Sequence, residues 1–279
     1  MKVVYSYWDT GNGLKKPGNW FNSRLMLSSM IISVLNSHKH YGRVEIVTDS
    51  CSKLWIEKLG LPFESIKTDL DELDKYDKNS WALGKIKAYS IQKEPFIHVD
   101  LDVILFEALS DKLVSNELYV QNFEPFDIDT YSKTYVPYIE LLAKNGKDLP
   151  IGFHDRKHAL NLGIYGCNNL DFNQIFCDSV FTFINNNENY FKTCVPLDKL
   201  CVVWEQYFCA VIADKMGLSI GTVIDPNYKL ATESGYTHLL IDKYNEKVAN
   251  NFNEHIKTTY PEYYESINEL LKLKDTKLS

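Results

Sequence analysis

An apolar strand that runs into paired acids constrains this chain more than any other feature. The segment Pro95-Phe96-Ile97-His98-Val99-Asp100-Leu101-Asp102-Val103-Ile104-Leu105-Phe106 is apolar on both sides of two carboxylates one residue apart. Burying Asp beside Ile, Val, Leu and Phe is costly unless the charge has a partner. A divalent cation is an effective partner for two such groups. The period of two along a strand sets Phe96, His98, Asp100 and Asp102 on one face, and Ile97, Val99 and Leu101 on the other. With Asp102 just past the strand end, both carboxylates converge on one ion. The competing reading is a pair of acids capping a loop or the following segment; the apolar flanks favour the metal.

What precedes the acids alternates strand and helix. Residues 2–7 read as a strand, followed by a polar loop with Gly11, Gly13, Pro17 and Gly18. Residues 20–37 carry Leu25, Met26, Ser29, Met30, Ser33 and Val34 at helical spacing. Residues 44–48 form a second strand ending at Asp49. Ser50 is placed to cap a helix over 52–59, which Gly60 stops. A third strand covers 63–67, a charged loop 69–79, a helix 81–92 and a fourth strand 95–99. Such alternation implies parallel pairing through right-handed crossovers. Ligands of these sheets bind at the carboxyl ends of strands. The ends here are Tyr7-Trp8-Asp9, Thr48-Asp49 and Asp100–Asp102, all polar or aromatic where a nucleotide would lie.

The second half is less regular. Strands are expected over 117–123, 160–165, 218–224 and 238–241, and helices over 131–144, 171–184 and 202–216. A terminal helical pair follows over 243–256 and 262–273, with Pro261 near the start of the second. No internal repeat or low-complexity linker interrupts the chain, which favours one continuous domain.

Composition narrows the function. The net charge of −7 over 279 residues argues against a nucleic-acid binder. Only three arginines occur, Arg24, Arg43 and Arg156, so an anionic ligand must be held by a metal or by lysines. Residues 1–7 read as a short strand rather than a signal peptide, and no stretch approaches the roughly 20 apolar residues of a membrane span. The six cysteines form no C-x-x-C pair and read as reduced thiols of a cytoplasmic protein. A second metal site from Cys194, Cys201 and Cys209 is the weaker alternative.

Two enzyme classes place D-x-D at the end of a parallel strand. In haloacid-dehalogenase-like phosphohydrolases the first Asp, here Asp100, is a nucleophile toward phosphate, with Mg²⁺ bound. That motif belongs on the first strand of its domain, whereas nearly a hundred residues of α/β pattern precede Asp100. In the other class the acids hold a cation that bridges a sugar nucleotide's diphosphate. From its first strand to about residue 245 the chain resembles the metal-dependent glycosyltransferases of the GT-A fold. In layout it is similar to the glycogenin and bacterial lipopolysaccharide glycosyltransferase group. Four signposts carry the resemblance. The D-x-D is Asp100 and Asp102, preceded by a helix with Lys85 and Lys87. The strand Leu160-Asn161-Leu162-Gly163-Ile164-Tyr165-Gly166 is similar to the Asn-x-Gly strand lining a donor-sugar pocket. Trp204-Glu205-Gln206 is similar to the acidic-Gln pair that faces sugar and acceptor. Tyr236-Thr237-His238-Leu239-Leu240-Ile241-Asp242-Lys243 is similar to a His-x-x-Gly-x-x-Lys element supplying a metal ligand and a phosphate-binding lysine. There the chain departs: Ile241 replaces the Gly, and Lys243 follows His238 by five residues, not six.

The resemblance implies an α/β, GT-A-like (Rossmann-like) fold, with a mixed, mainly parallel sheet flanked by helices. Its single catalytic domain would span 1–245, a nucleotide-binding half to about 106 and an acceptor half beyond, with a helical extension over 246–279. Mn²⁺, or Mg²⁺, would be held by Asp100, Asp102 and His238; the imidazole shifts the preference toward Mn²⁺. Tyr7, Trp8, Asp49, Lys85, Asp100, Asn161, Gly163 and Lys243 would hold the donor, a UDP-sugar. Glu205 and Gln206 would be catalytic, with retention of configuration. The acceptor would be a glycan or its lipid-linked precursor. A third reading is a catalytically silent sugar-nucleotide or glycan-binding module. Each residue also has a structural alternative: a hydrogen-bonded core histidine for His238, a solvated helix face for Lys85 and Lys87, a tight strand crossing for Asn161 and Gly163, core aromatics for Tyr7 and Trp8, a solvated first turn for Glu205 and Gln206. The 260–273 tail is read as a helix packed on the domain, with peripheral membrane contact as the alternative.

Overall fold

A computed structural model describes residues 1–9, 13–15, 20–192, 196–224 and 231–276. The loop residues Gly11, Pro17 and Gly18, and Cys194, lie outside the described residues. The first half comprises β1 (Lys2–Tyr7), α1 (Ser23–Tyr41), β2 (Arg43–Thr48), α2 (Ser50–Leu59), β3 (Ser65–Lys67), α3 (Leu83–Ser90), β4 (Phe96–Val99) and β5 (Val103–Leu105). There follow α4 (Asp111–Val114), β6 (Leu118–Pro125), α5 (Asp129–Asn145), β7 (His158–Cys167), α6 (Leu170–Asn186) and α7 (Glu188–Phe191). The chain then forms α8 (Leu197–Val202), α9 (Phe208–Lys215), β8 (Ile220–Thr222), β9 (Tyr236–His238), α10 (Glu246–Thr259) and α11 (Pro261–Thr276). The expected mixed α/β class, with mainly parallel pairing flanked by helices, is the observed one. Among the described residues no helix is long and apolar enough to cross a membrane. The chain is organised in two compact units, residues 1–72, 99–108 and 228–279 in one, and 73–98 and 109–227 in the other.

In the first unit, β1, β2 and β3 pair in parallel, with Lys2 opposite Arg43 and Tyr7 opposite Thr48. Their neighbour α1 starts later than its spacing suggested, because Asn22 accepts the Leu25 N–H at 2.8 Å and so fixes the N-terminus. It buries Leu25, Met26, Leu27, Met30, Ile31 and Val34. The cap of α2 is Asp49, not Ser50: the Asp49 carboxylate accepts the Ser52 N–H, and Ser50 is already the first helical residue. One further expectation is corrected here, and one strand is found that none anticipated. The strand expected over 238–241 ends at His238 and begins at Tyr236, while residues 103–105 form β5. These two pair antiparallel, His238 opposite Val103 and Tyr236 opposite Leu105. Each was too short for its periodicity to register, and only the pairing makes either a strand. The terminal pair α10 and α11 packs on α1, and α11 also meets α2.

In the second unit the strand order is β4-β7-β6-β8. β6 runs antiparallel to β7 and parallel to β8. Tyr119 lies opposite Gly166, where an added Cβ would fall 1.8 Å from the Tyr119 ring. Glycine is required there by the ring's close approach. An aromatic core surrounds β7, with Tyr165 stacked on Tyr89 at 4.4 Å between ring centroids. The helix expected over 202–216 is interrupted. The Phe208 N–H reaches back five residues to the Val203 carbonyl, so 203–207 form one wide π turn between α8 and α9.

Candidate metal centre and a buried polar network

β4 ends at Val99, so the two acids do not share a strand face as the pleat implied. They converge through a turn instead, closed by the Val103 N–H on the Asp100 carbonyl at 3.0 Å. The β5–β9 register then sets His238 beside this turn, and the Leu239 N–H extends the pairing to the Asp102 carbonyl at 2.8 Å. Ligand atoms of Asp100, Asp102 and His238 consequently lie within 4.8 Å of one another. His238 Nε2 is 3.3 Å from Asp102 Oδ1. Lys243 Nζ donates to Asp102 Oδ2 at 2.8 Å.

How Lys243 returns to Asp102 with one residue fewer than the resemblance requires is explained by backbone conformation. Leu240 has φ +26°, in the region a non-glycine residue rarely adopts. The reversal falls at Leu240, not at Ile241, whose φ is −72°. The Lys243 N–H then reaches the Leu239 carbonyl at 3.1 Å, closing a turn that swings the lysine inward. Asp102 is buried, which by itself would raise its pKa. The His238 contact and the Lys243 charge outweigh burial and hold the carboxyl well below its usual range. Two carboxylates and one imidazole form a hard, oxygen-rich donor set with a single nitrogen. That set fits a divalent cation.

Also in the first unit are Tyr7, Trp8 and Asp49. Both Asp49 oxygens are engaged by the chain: Oδ1 by the Ser52 N–H, and Oδ2 by the Asp9 N–H at 2.8 Å and the Ser52 hydroxyl at 2.9 Å. Asp49 thus ties the ends of β1 and β2 together. The Tyr7 ring packs edge-on against Trp55 at 5.1 Å, and Trp8 is buried.

The second unit gathers the other expected residues. Lys85 is buried, not on a solvated helix face: its Nζ pairs with Glu205 and donates to the Leu162 carbonyl at 3.1 Å. Glu205 is 0% exposed, and both it and Gln206 sit on the π turn. Such turns put side chains where a regular helix would not and recur at functional sites. Asn161 uses both ends of its amide within the unit, donating to Glu124 Oε1 at 2.8 Å and accepting the Gly163 N–H at 3.0 Å. Glu124 Oε2 accepts from the Tyr135 hydroxyl, which also lies against the Gln206 amide. Burial, with the Glu124 and Glu205 charges, pushes the Tyr135 phenol well above its ordinary value. Glu124 and Tyr135 were not anticipated. The one available signal was an acid set among Phe123, Pro125 and Phe126, which the apolar pattern masked.

The profile of a family of unknown function, DUF6734, matches residues 1–270. No curated protein matches the sequence. Among solved structures the chain is similar to a galactosyltransferase, LgtC, in complex with donor and acceptor sugar analogs. That match has 14% identity and a TM-score of 0.41, and covers 73% of this chain and 70% of that one. It is also similar to an active-site mutant of LgtC, at 13% identity and TM-score 0.48, covering 95% and 99%. Mouse xyloside xylosyltransferase 1, apo form, matches at 11% identity and TM-score 0.41, covering 80% and 84%.

Proposed function

We propose that this chain, which belongs to DUF6734, is a glycosyltransferase that moves a sugar from a nucleotide-sugar donor, a UDP-sugar, to a glycan or lipid-linked acceptor, with retention of configuration. The observation that carries this is the Asp100, Asp102 and His238 cluster with Lys243 on the Asp102 carboxylate. The set supplies what a leaving diphosphate requires, a place for a divalent cation and a lysine beside it. Mn²⁺ held there would neutralise charge developing on the diphosphate. The Asp102 carboxylate, held ionised by its neighbours, keeps its ligand form across the neutral range. Lys243 is free to exchange Asp102 for a phosphate oxygen, as a point charge on a flexible stem. Tied to Lys85, Glu205 acts as a fixed negative charge rather than a free base, which suits retention through an oxocarbenium-like centre. Gln206, half-buried, is the polar group offered to a sugar hydroxyl. The reducing cytoplasm is the proposed compartment, in keeping with free thiols at Cys51, Cys167, Cys177, Cys201 and Cys209.

Calorimetry with UDP, with and without Mn²⁺, tests the reading. UDP binds the parent only when Mn²⁺ is present, and Asp102→Ala loses that binding. UDP binding without Mn²⁺, or undiminished binding to Asp102→Ala, overturns it. Incubation with UDP-sugars then separates an enzyme from a silent module: release of UDP marks the enzyme, and binding without release the module.

A further inference from the structure

The turn that carries the two acids has its carbonyls taken one after another. Asp100 O accepts from Val103 N–H and Asp102 O from Leu239 N–H, as described. The carbonyls between and beyond them go to a helix. Ser29 Oγ donates to Leu101 O at 2.7 Å, and Ser33 Oγ donates to Val103 O at 2.5 Å. Both serines lie on α1, four residues apart and hence on one face, and both are 0% exposed. A serine within a helix ordinarily turns back to the carbonyl of its own preceding turn. These two reach across to another segment instead. The Ser33 hydroxyl is fixed further. Tyr5 lies 2.8 Å from Ser33 Oγ and 2.8 Å from Ser37 Oγ. A hydroxyl donates once. Because Ser33 gives its proton to Val103 O, it accepts from Tyr5, and Tyr5 in turn accepts from Ser37. One directed chain therefore runs from α1 through β1 to the turn.

We propose that Ser29 and Ser33 are positioning residues for the candidate cation: they lock the 100–103 turn so that the Asp100 and Asp102 carboxylates stand preset for it. The inference rests on the metal reading of Asp100, Asp102 and His238. Two like charges drawn together within 4.8 Å repel, and a loose turn would relax by swinging them apart. Alanine at 29 or 33 would satisfy helix propensity better than serine. A hydroxyl is required only where the carbonyl it meets must be held. Groups that orient metal ligands in this way typically change metal affinity by about 10–100-fold.

Mn²⁺ titration by calorimetry, on the full chain without nucleotide, decides it. Ser29→Ala and Ser33→Ala bind Mn²⁺ about 10–100-fold more weakly than the parent. Ser29→Thr and Ser33→Thr, which keep the hydroxyl, recover the parent affinity. Ser28→Ala is the control: its Oγ is equally buried on the same helix and has no hydrogen-bond partner among the described residues, so its affinity stays at the parent value. If an alanine variant does not fold, Ser29→Cys and Ser33→Cys fill the volume with a feebler donor, and the same weakening is expected of them. Parent-level affinity in all the Ala and Cys variants at 29 and 33 overturns the inference and leaves the metal reading standing. Equal weakening by Ser28→Ala overturns it too, as a general effect of α1. A parent chain that binds no Mn²⁺ overturns the metal reading and this inference with it.

Discussion

At the scale of single residues, the chain asks unusual things of Leu240 and of the Lys85–Glu205 pair. A non-glycine residue in the left-handed region costs about 1–2 kcal/mol, and glycine adds about 0.5–1 kcal/mol of unfolded-state entropy. Leu240 is 50% exposed, so little packing is lost on its replacement. Leu240→Gly should therefore be neutral or stabilising by up to about 1 kcal/mol, and Leu240→Val should destabilise. Urea unfolding of the two variants checks this; a clear loss in Leu240→Gly would mean the loop is not strained. The buried pair predicts the opposite kind of result. Removing one partner strands a charge, so Glu205→Ala should cost about 3–5 kcal/mol. The double variant Lys85→Met/Glu205→Leu should recover most of that. If the two single losses simply add in the double variant, Lys85 and Glu205 are not coupled. This pair also shows where sequence reasoning reached its limit. Asp100 and Asp102 were legible because acids between apolar runs need partners; His238 was legible only through the resemblance of residues 236–243 to a metal-binding element, and the structure brings the three together. Asp49 was legible as an acid at a strand end, but not as a cap, because capping depends on where the helix starts. Glu124 was not legible at all, since its partners Asn161 and Tyr135 are 37 and 11 residues away.

At the scale of elements, long periodic segments could be read and short paired ones could not. Alternation of strand and helix over the first hundred residues foretold β1 to β4 because each crossover carries its own apolar face. β5 and β9 have three residues each and owe their existence to one another. The π turn is likewise invisible to a period of 3.6, since Cys201-Val202-Val203-Trp204 and Tyr207-Phe208-Cys209 are apolar in either geometry. What it does is turn Glu205 toward Lys85 and Gln206 toward Tyr135. Tyr135→Phe removes the hydroxyl that joins Glu124 to Gln206, leaving a buried carboxylate oxygen short of a donor. The expected loss is about 1–3 kcal/mol in denaturant unfolding, and no loss would mean water takes the place of the hydroxyl. The β6–β7 pair carries a sharper prediction. A Cβ at position 166 would overlap the Tyr119 ring, which is buried and cannot retreat. Gly166→Ala should cost about 3 kcal/mol or abolish folding. Gly166→Ala combined with Tyr119→Ala should be more stable than Gly166→Ala alone, and failure of that rescue would remove the clash as the cause.

At the scale of the whole molecule, many phenols and thiols are buried, and alkaline pH is where this has consequences. Burial pushes the Tyr5 phenol up to about 12, only partly offset by its bonds to Ser33 and Ser37. Tyr207 is likewise pushed up to about 12, and the Cys167 thiol to about 11. Tyr165, Cys177, Cys201 and Cys209 are also driven well above their ordinary values, again by burial first. In the unfolded chain thiols lose protons from about pH 9 and phenols from about pH 10, near their free values. In the folded chain Cys167, Tyr5 and Tyr207 keep theirs until about 11–12. Across that window the unfolded state binds fewer protons, so stability falls as pH rises. The contribution is whole below about pH 9 and is lost progressively toward pH 12, each unit of displacement in a buried group being worth about 1.4 kcal/mol. Urea midpoints measured under reducing conditions from pH 7.5 upward should hold level to about pH 9 and then drop steeply. Beyond the absorbance of exposed tyrosines such as Tyr244, the tyrosinate absorbance of the buried phenols should appear together with unfolding rather than before it. Thiol labelling at neutral pH supplies the matching readout among the described cysteines. Exposed Cys51 reacts at once, whereas Cys167, Cys177, Cys201 and Cys209 react only as fast as the core opens. A midpoint unchanged to pH 11, or four further thiols labelled as quickly as Cys51, would mean that these groups are not sealed in the interior, and the packing of α6 and α9 around β7 would have to be redrawn.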